Sequence, residues 1–384
     1  MHRVAHLTTV HDPLDTRIFH KEARSLCEHG YDVTIAGQGT KPPYIRDGVR
    51  IVSVRPSSSR AGRMTITMLS MLATALAIDA QIYHLHDPEL IPLGFLLKFA
   101  GKSVIYDAHE DLPHDVEVKE WIPALVRPHV ARLTKFLLRQ VAAHFDGVVA
   151  SVDAVAERFR NGRVVVVRNL ASVTAMHATA NSPGVTFAAT YCGSITRIRG
   201  IREMVEAFAG AHGSKLALAG DFEDAALESE VRALPGWTHV EHFGRLPHER
   251  VAQILAQSRA GLCVLHPTKA FHDSLPVKIF EYFAAGIPVI ASDFPLWREL
   301  VGDCGMLVDP NDPRAIAEAI AYFEAHPAQA KEMGERGRRR VLDGLNWEAE
   351  ARRLFELYDG LCSEKRFANS LLNVDPRSPK SPNK

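Results

Sequence analysis

Short apolar runs, each followed by a polar loop and then by a stretch with helical spacing, recur along this chain of 384 residues. Runs at residues 4–7, 31–37, Val49–Val54, Ile82–Leu85, 103–106, Gly147–Ala150 and 164–167 are short and almost wholly apolar. That pattern suits strands of a parallel sheet buried on both faces. Between them, residues 18–29, 64–78 and 123–145 have helical character; in the last, Val126, Val130, Leu133 and Leu137 make the apolar stripe. After 169–184, an Ala/Ser/Thr-rich stretch without clear period, the alternation resumes. Strands are expected up to Tyr191 and at 215–219, 239–243, 261–265, 287–291 and Gly305–Val308. Helices are expected from Gly200, from His248, and over Val277–Ala285, Pro313–Ala325, 328–342 and 347–361. Strand–loop–helix repeats of this kind predict α/β architecture with two Rossmann-like domains. The expected divisions are 1–168, a linker 169–184, a second domain 185–345, a crossover helix 346–362 and a disordered tail 363–384.

Residues 271–294 carry the most chemistry in the least space. Pro276 opens a helix where its missing N–H costs nothing, and Gly286 closes it. Asp273 lies in the loop before this helix and Glu281, eight residues on, lies within it. Free N–H groups and the positive end of the dipole, around Ser274, Leu275, Val277 and Lys278, could seat a phosphate between the two acids. The competing reading is a helix capped by Asp273 or Ser274, with Glu281 a solvated charge.

Other candidates lie in loops at the C-terminal ends of predicted strands, where open α/β sheets bind ligands. The first loop offers His11, Asp12, Asp15 and Arg17. No GxGxxG follows the first strand, so a dinucleotide redox cofactor is not inferred. The fourth run leads into HLHDPEL, with His84, His86 and Asp87; because side chains alternate along an extended segment, a loop contact or helix cap is expected there rather than a metal. The fifth leads into DAHEDLP, where His109 and Glu110 stand at the rim, against the bland alternative of a capped loop. In the second half, Arg197 and Arg199 precede Gly200, two guanidinium groups able to neutralise a diphosphate, or else a solvated basic turn.

Composition narrows the classes. Lys plus Arg equals Asp plus Glu at 45 each, so nothing general argues for nucleic acid. Five scattered cysteines without a CxxC pair fit apolar packing in a reducing compartment. No secretory leader is recognised, and the most apolar window, 64–78, is too short to span a bilayer; it is expected to be a buried helix in a cytoplasmic protein. The segment 123–145 has basic residues and no acid until Asp146, so it could rest on an anionic bilayer at its inner face or simply pack one side on the sheet.

The stretch 271–294 resembles the acid-x7-acid signature of retaining glycosyltransferases of GT-B architecture, the family-four type (glycosyl transferases group 1). Glu281 and AAGIPVIASD match; Asp273 stands where the family usually has Glu. HDPLDTR, HDPEL and VIYDAHEDLP resemble the same family's first domain. The family's Gly-Arg-x4-Lys-Gly reads Gly-Ser-x4-Arg-Gly here, Ser194 replacing Arg and Arg199 replacing Lys. The resemblance implies two domains facing across a cleft, with the final helix crossing back to the first. It implies transfer, with retention of configuration, from a nucleotide-sugar to a glycan, polysaccharide or lipid-linked acceptor, without cofactor or divalent metal. Asp273, Glu281 and His109 would be catalytic. Ser194, Arg197, Arg199, Gly200, Ser274, Leu275, Val277, Lys278 and Glu281 would bind the donor. His11, Asp15, Arg17, His86 and Asp87 would lie on the acceptor side. Two other classes stay open: a sugar-nucleotide epimerase of the same fold, and a non-catalytic nucleotide-sugar-binding protein.

Overall fold

The computed structural model describes residues 1–57, 59, 62–108, 126–159, 162–173, 184–210, 213–272 and 274–372. His109, Glu110 and Asp273 lie outside them. The chain divides into two compact units, one of Met1–Arg168 with Glu350–Lys384 and the other of Asn169–Ala349.

Unit 1 is built on eight strands: β1 (Arg3–Leu7), β2 (Asp32–Gln38), β3 (Tyr44–Arg46), β4 (Val49–Val54), β5 (Ile82–Leu85), β6 (Ser103–Ala108), β7 (Gly147–Ala150) and β8 (Val164–Val166). Their order is β3-β4-β2-β1-β5-β6-β7-β8, parallel except for the edge pair β3 and β4. That hairpin was not anticipated. Its turn is Asp47-Gly48, both at positive φ (48° and 81°), the conformation of a type I′ turn.

The two faces of this sheet differ because alternate side chains point opposite ways. Ala5, Leu7, Tyr83, Leu85, Val104 and Tyr106 share one apolar core with Met71, Ala75, Leu93, Leu97, Leu138 and Val141. These come from the helices Met68–Ile78, Ile91–Phe99 and Arg127–His144. The opposite face carries His6, His84 and Asp107, met by Arg17 and Glu22 ahead of β2 and by Tyr358 of the terminal helix.

Two expectations change here. Residues 64–78 are not buried throughout: a π-helical turn (Arg63–Thr67) and the following helix bury Thr67, Met71 and Ala75, while Met64, Ile66, Leu69 and Leu76 are exposed. A helix apolar on every side finds only one stripe of sheet to cover. The tail expected to lack structure from Ser363 is instead helical to Leu372, as part of Trp347–Leu372. No helix among the described residues is long and apolar enough to cross a membrane.

Unit 2 has six parallel strands: β9 (Ala189–Cys192), β10 (Leu216–Ala219), β11 (Val240–His242), β12 (Gly261–Cys263), β13 (Val289–Ser292) and β14 (Gly305–Val308), ordered β11-β10-β9-β12-β13-β14. The chain reverses direction across the sheet between β9 and β12. In unit 1 the equivalent reversal lies between β1 and β5. Helix Val277–Ala285 lies directly on β12. Its Tyr282 hydroxyl donates to the Leu262 carbonyl (2.9 Å), and its ring leaves no room for a Cβ at Gly261.

Candidate functional site

The reversal point of unit 2 brings Lys278 beside the turn that follows β9. β9 ends at Cys192, and Gly193 follows at φ +151°. A Cβ on Gly193 would overlap the Lys278 ammonium and lie 2.8 Å from its Cε, so Lys278 crosses this turn closely. The Lys278 Nζ stands 5.2 Å from the Tyr191 ring centroid, a cation–π distance. Tyr191, itself buried, donates its hydroxyl to the Ser194 carbonyl (2.9 Å), and the Lys278 and Arg199 charges are close enough to act on that hydroxyl. Lys278 and Arg199 therefore converge on one tyrosine at the end of β9. Burial pushes the Tyr191 hydroxyl up, and the two cations oppose that.

Arg197 goes elsewhere. Its guanidinium pairs with Glu230 at 2.7 Å on an exposed flank. Arg197, expected beside a diphosphate, is paired with Glu230 here, and Lys278 lies beside Gly193. Gly200 takes φ +68° ahead of helix Ile201–Glu206, where a Cβ would overlap the Val264 carbonyl. The same turn is tied to the loop after β12, since His266 N–H donates to the Ile198 carbonyl (2.9 Å) and the His266 ring faces Glu203 at 3.1 Å.

The loop before helix Val277–Ala285 is held from beneath. Trp297 donates its indole N–H to the Ser274 carbonyl (2.8 Å), and Leu275 packs on the unit core. Pro276 is the N-cap, with no side-chain cap bond, so the capping expected of Ser274 is not made. Glu281 is half-buried on the helix and close enough to Cys192 and Cys263 to raise both thiols electrostatically. Burial is the larger cause, pushing them up to about 11 and about 12, so neither is a thiolate at neutral pH.

In unit 1 the expected acceptor-side residues part company. Asp87 does not cap its own helix. Its Oδ2 accepts from the amides of Thr9 (2.6 Å) and Val10 (3.2 Å) and from the Thr8 hydroxyl (2.9 Å), which fixes the loop after β1. His11 lies on that loop, partly exposed, 3.5 Å from Asp87. Asp15 takes the Arg17 and Ile18 amides and so starts the helical segment. Arg17 is turned inward rather than onto the rim: it binds Asp107 through two nitrogens (3.1 Å each), Glu22 (2.9 Å) and the Val167 carbonyl.

His86 is also buried. The alternation argument separates it from Asp87 but not from His84, two residues earlier, which shares its face. His6, paired in register with His84 across β1 and β5, joins them, and His6 Nδ1 lies 2.8 Å from His86 Nε2. Burial first, then the neighbouring His86, holds His6 and His84 well below the usual imidazole range. Sequence reasoning missed Tyr191, His6, Glu22, Asp107 and Tyr358. For His6, the shared period of two was the available signal; for Tyr191 there was none.

The glycosyl transferase 4-like domain family matches residues 16–172, and the glycosyl transferase-like family matches 197–356. Among curated proteins, the chain is similar to D-rhamnosyltransferase WbpZ of Pseudomonas aeruginosa, at 26% identity over 168 residues, 43% of this chain and 40% of that protein. It is similar to the alpha-maltose-1-phosphate synthase of Mycolicibacterium smegmatis, at 28% over 189 residues, 44% of this chain and 46% of that one. These matches span less than half the length of either relative. Among solved structures, sucrose-phosphate synthase from Thermosynechococcus elongatus superposes with TM-score 0.73 at 19% identity, over 95% of this chain and 100% of that one. Anabaena HepE in complex with UDP and glucose gives 0.69 at 14%, over 94% and 100%.

Proposed function

Because this chain belongs to the glycosyltransferases of GT-B architecture, we propose that it moves a sugar from a nucleotide-sugar to an acceptor hydroxyl with retention of anomeric configuration. The observation that carries this reading is the convergence of Lys278 and Arg199 on Tyr191, beside the N-terminus of helix Val277–Ala285 and at the reversal point of the unit 2 sheet. Two cations and a set of first-turn N–H groups suit a diphosphate. They stabilise it as it leaves with the electron pair of the broken glycosidic bond. Basic groups so placed do the work a divalent ion would do for the leaving group, so the transfer calls for none. Glu281, one turn into the helix, is placed to take ribose hydroxyls. Asp273 and His109, from their sequence positions, are assigned to the transferred sugar.

Unit 1 takes the acceptor side, and a glycan or lipid-linked precursor fits its surface. The helices Met68–Ile78, Ile91–Phe99 and Arg127–His144 contain no Asp or Glu and five Lys or Arg. They expose Leu69, Leu76, Leu96, Phe99, Leu133 and Phe136. An acid-free layer with apolar side chains outward suits an anionic lipid surface. Calorimetry of the full chain against UDP-, GDP- and ADP-sugars in EDTA tests the donor assignment. One nucleotide class should bind, and Glu281→Ala should weaken it. Binding of no nucleotide-sugar would overturn the proposal.

A further inference from the structure

The structure assigns a second, closed site to unit 1: we infer that His6, Glu22, His84 and His86 hold one transition-metal ion of the zinc class. Each offers a ligand atom, and the four atoms lie within 4.8 Å of one another in side chains sealed from solvent. Glu22 Oε2 is 3.9 Å from His6 Nδ1, from His84 Nδ1 and from His86 Nε2, so three imidazoles face one carboxylate oxygen. Ligand atoms around a tetrahedral zinc stand about 3.3 Å apart, between the 2.8 Å and 3.9 Å found here.

Protein partners alone serve this cluster poorly. Both oxygens of Glu22, the carboxylate that the three imidazoles face, lack a hydrogen bond, although Glu22 Oε1 has the Arg17 charge 2.9 Å away. Orphaned polar atoms in a sealed core are rare and call for a reason. Glu22 and Asp107 face a single guanidinium, Arg17. The outer shell is also in place: Asp107 Oδ2 lies 3.4 Å from His86 Nδ1 and 3.8 Å from His84 Nε2, where it would receive the N–H groups that ligation leaves on the far side of each ring.

Binding would exchange two existing hydrogen bonds, His6 to His86 and His84 to the Tyr358 hydroxyl (2.8 Å), for metal bonds. Glu22 reaches the cluster from a π-helical turn, Ile18–Ala23, a local form common at functional sites. With four protein ligands and no solvent access, the ion would be structural, tying β1, β5 and the first helical segment beneath the Asp87-held loop. It is independent of the donor reading, which lies in unit 2.

The test uses the full chain, tag removed, expressed in zinc-containing medium and dialysed. Elemental analysis should find about one zinc per chain. Anomalous scattering at the zinc edge should place it among these four residues. Cobalt substitution should give the visible absorption of a tetrahedral ion. His84→Gln and Glu22→Gln should fall below about a tenth of an equivalent, while His11→Ala, on the exposed loop, keeps it. Wild-type protein that takes up less than about a tenth of an equivalent from added zinc, with the same Tm with and without chelator, would overturn the inference. So would an ion located elsewhere. Both readouts stand on the wild type, so a variant that fails to fold leaves the test intact.

Discussion

Replacing Lys278 by Met separates the charge of this side chain from its packing. Met keeps most of the length and the contact with the Tyr191 ring, so the fold of the β9 turn should survive. What is lost is an ammonium 5.2 Å from that ring centroid, half-buried beside Gly193. A charge-assisted hydrogen bond to a diphosphate contributes about 1.5–3 kcal/mol, so donor affinity should fall about ten- to a hundredfold. Arg197→Ala is the contrasting variant. Arg197 is 53% exposed and already paired with Glu230. Its removal costs a surface ion pair, about 0–1 kcal/mol, and donor affinity should change by less than about fivefold. Calorimetry with the nucleotide-sugar that wild type binds tightest reads both, and thermal unfolding checks that each variant is folded. If Arg197→Ala weakens binding more than Lys278→Met, the reasoning from these partners is wrong.

Gly193→Ala should move Lys278 rather than delete it: a Cβ at φ +151° collides with the ammonium end. The expected result is weaker donor binding with a Tm drop worth about 1–3 kcal/mol, and unchanged affinity would refute the close crossing. Burial raises the thiols of Cys192 and Cys263 to about 11 and about 12, and raises Cys304 too. At pH 8 a disulfide reagent should therefore leave them unmodified in the folded chain and modify them only on unfolding; fast native reaction would contradict their placement. For the helical layer, Leu133→Ser with Phe136→Ser should lower sedimentation with anionic vesicles at least severalfold, since about 1.5–3 kcal/mol attaches to each buried apolar side chain. Binding that never depends on these residues would remove the membrane reading.

Much of the architecture was legible because parallel strands buried on both faces read as short apolar runs, and helices such as Pro313–Ala325 kept their capping and spacing signals. Two local signals were present but unread: Asp47-Gly48 marks the β3–β4 hairpin, and His84 with His86 share a face by the period of two. Other features depend on distant pairings that no local pattern carries. Lys278 comes beside Gly193, far earlier in the chain, because helix Val277–Ala285 lies on β12. Arg197 is withdrawn by Glu230, and Arg17 by Asp107, 90 positions on. His6 enters the cluster through the β1–β5 register. The roles of His109 and Asp273 rest on sequence alone.

Hydrogen–deuterium exchange of the full chain, with and without a saturating nucleotide-sugar that binds it, most directly tests where the donor sits. Protection concentrated at residues 193–200 and 276–281 is the expected result, because the first-turn amides and the β9 turn would be engaged. Protection confined to unit 1, with 193–200 and 276–281 unchanged, would contradict the site.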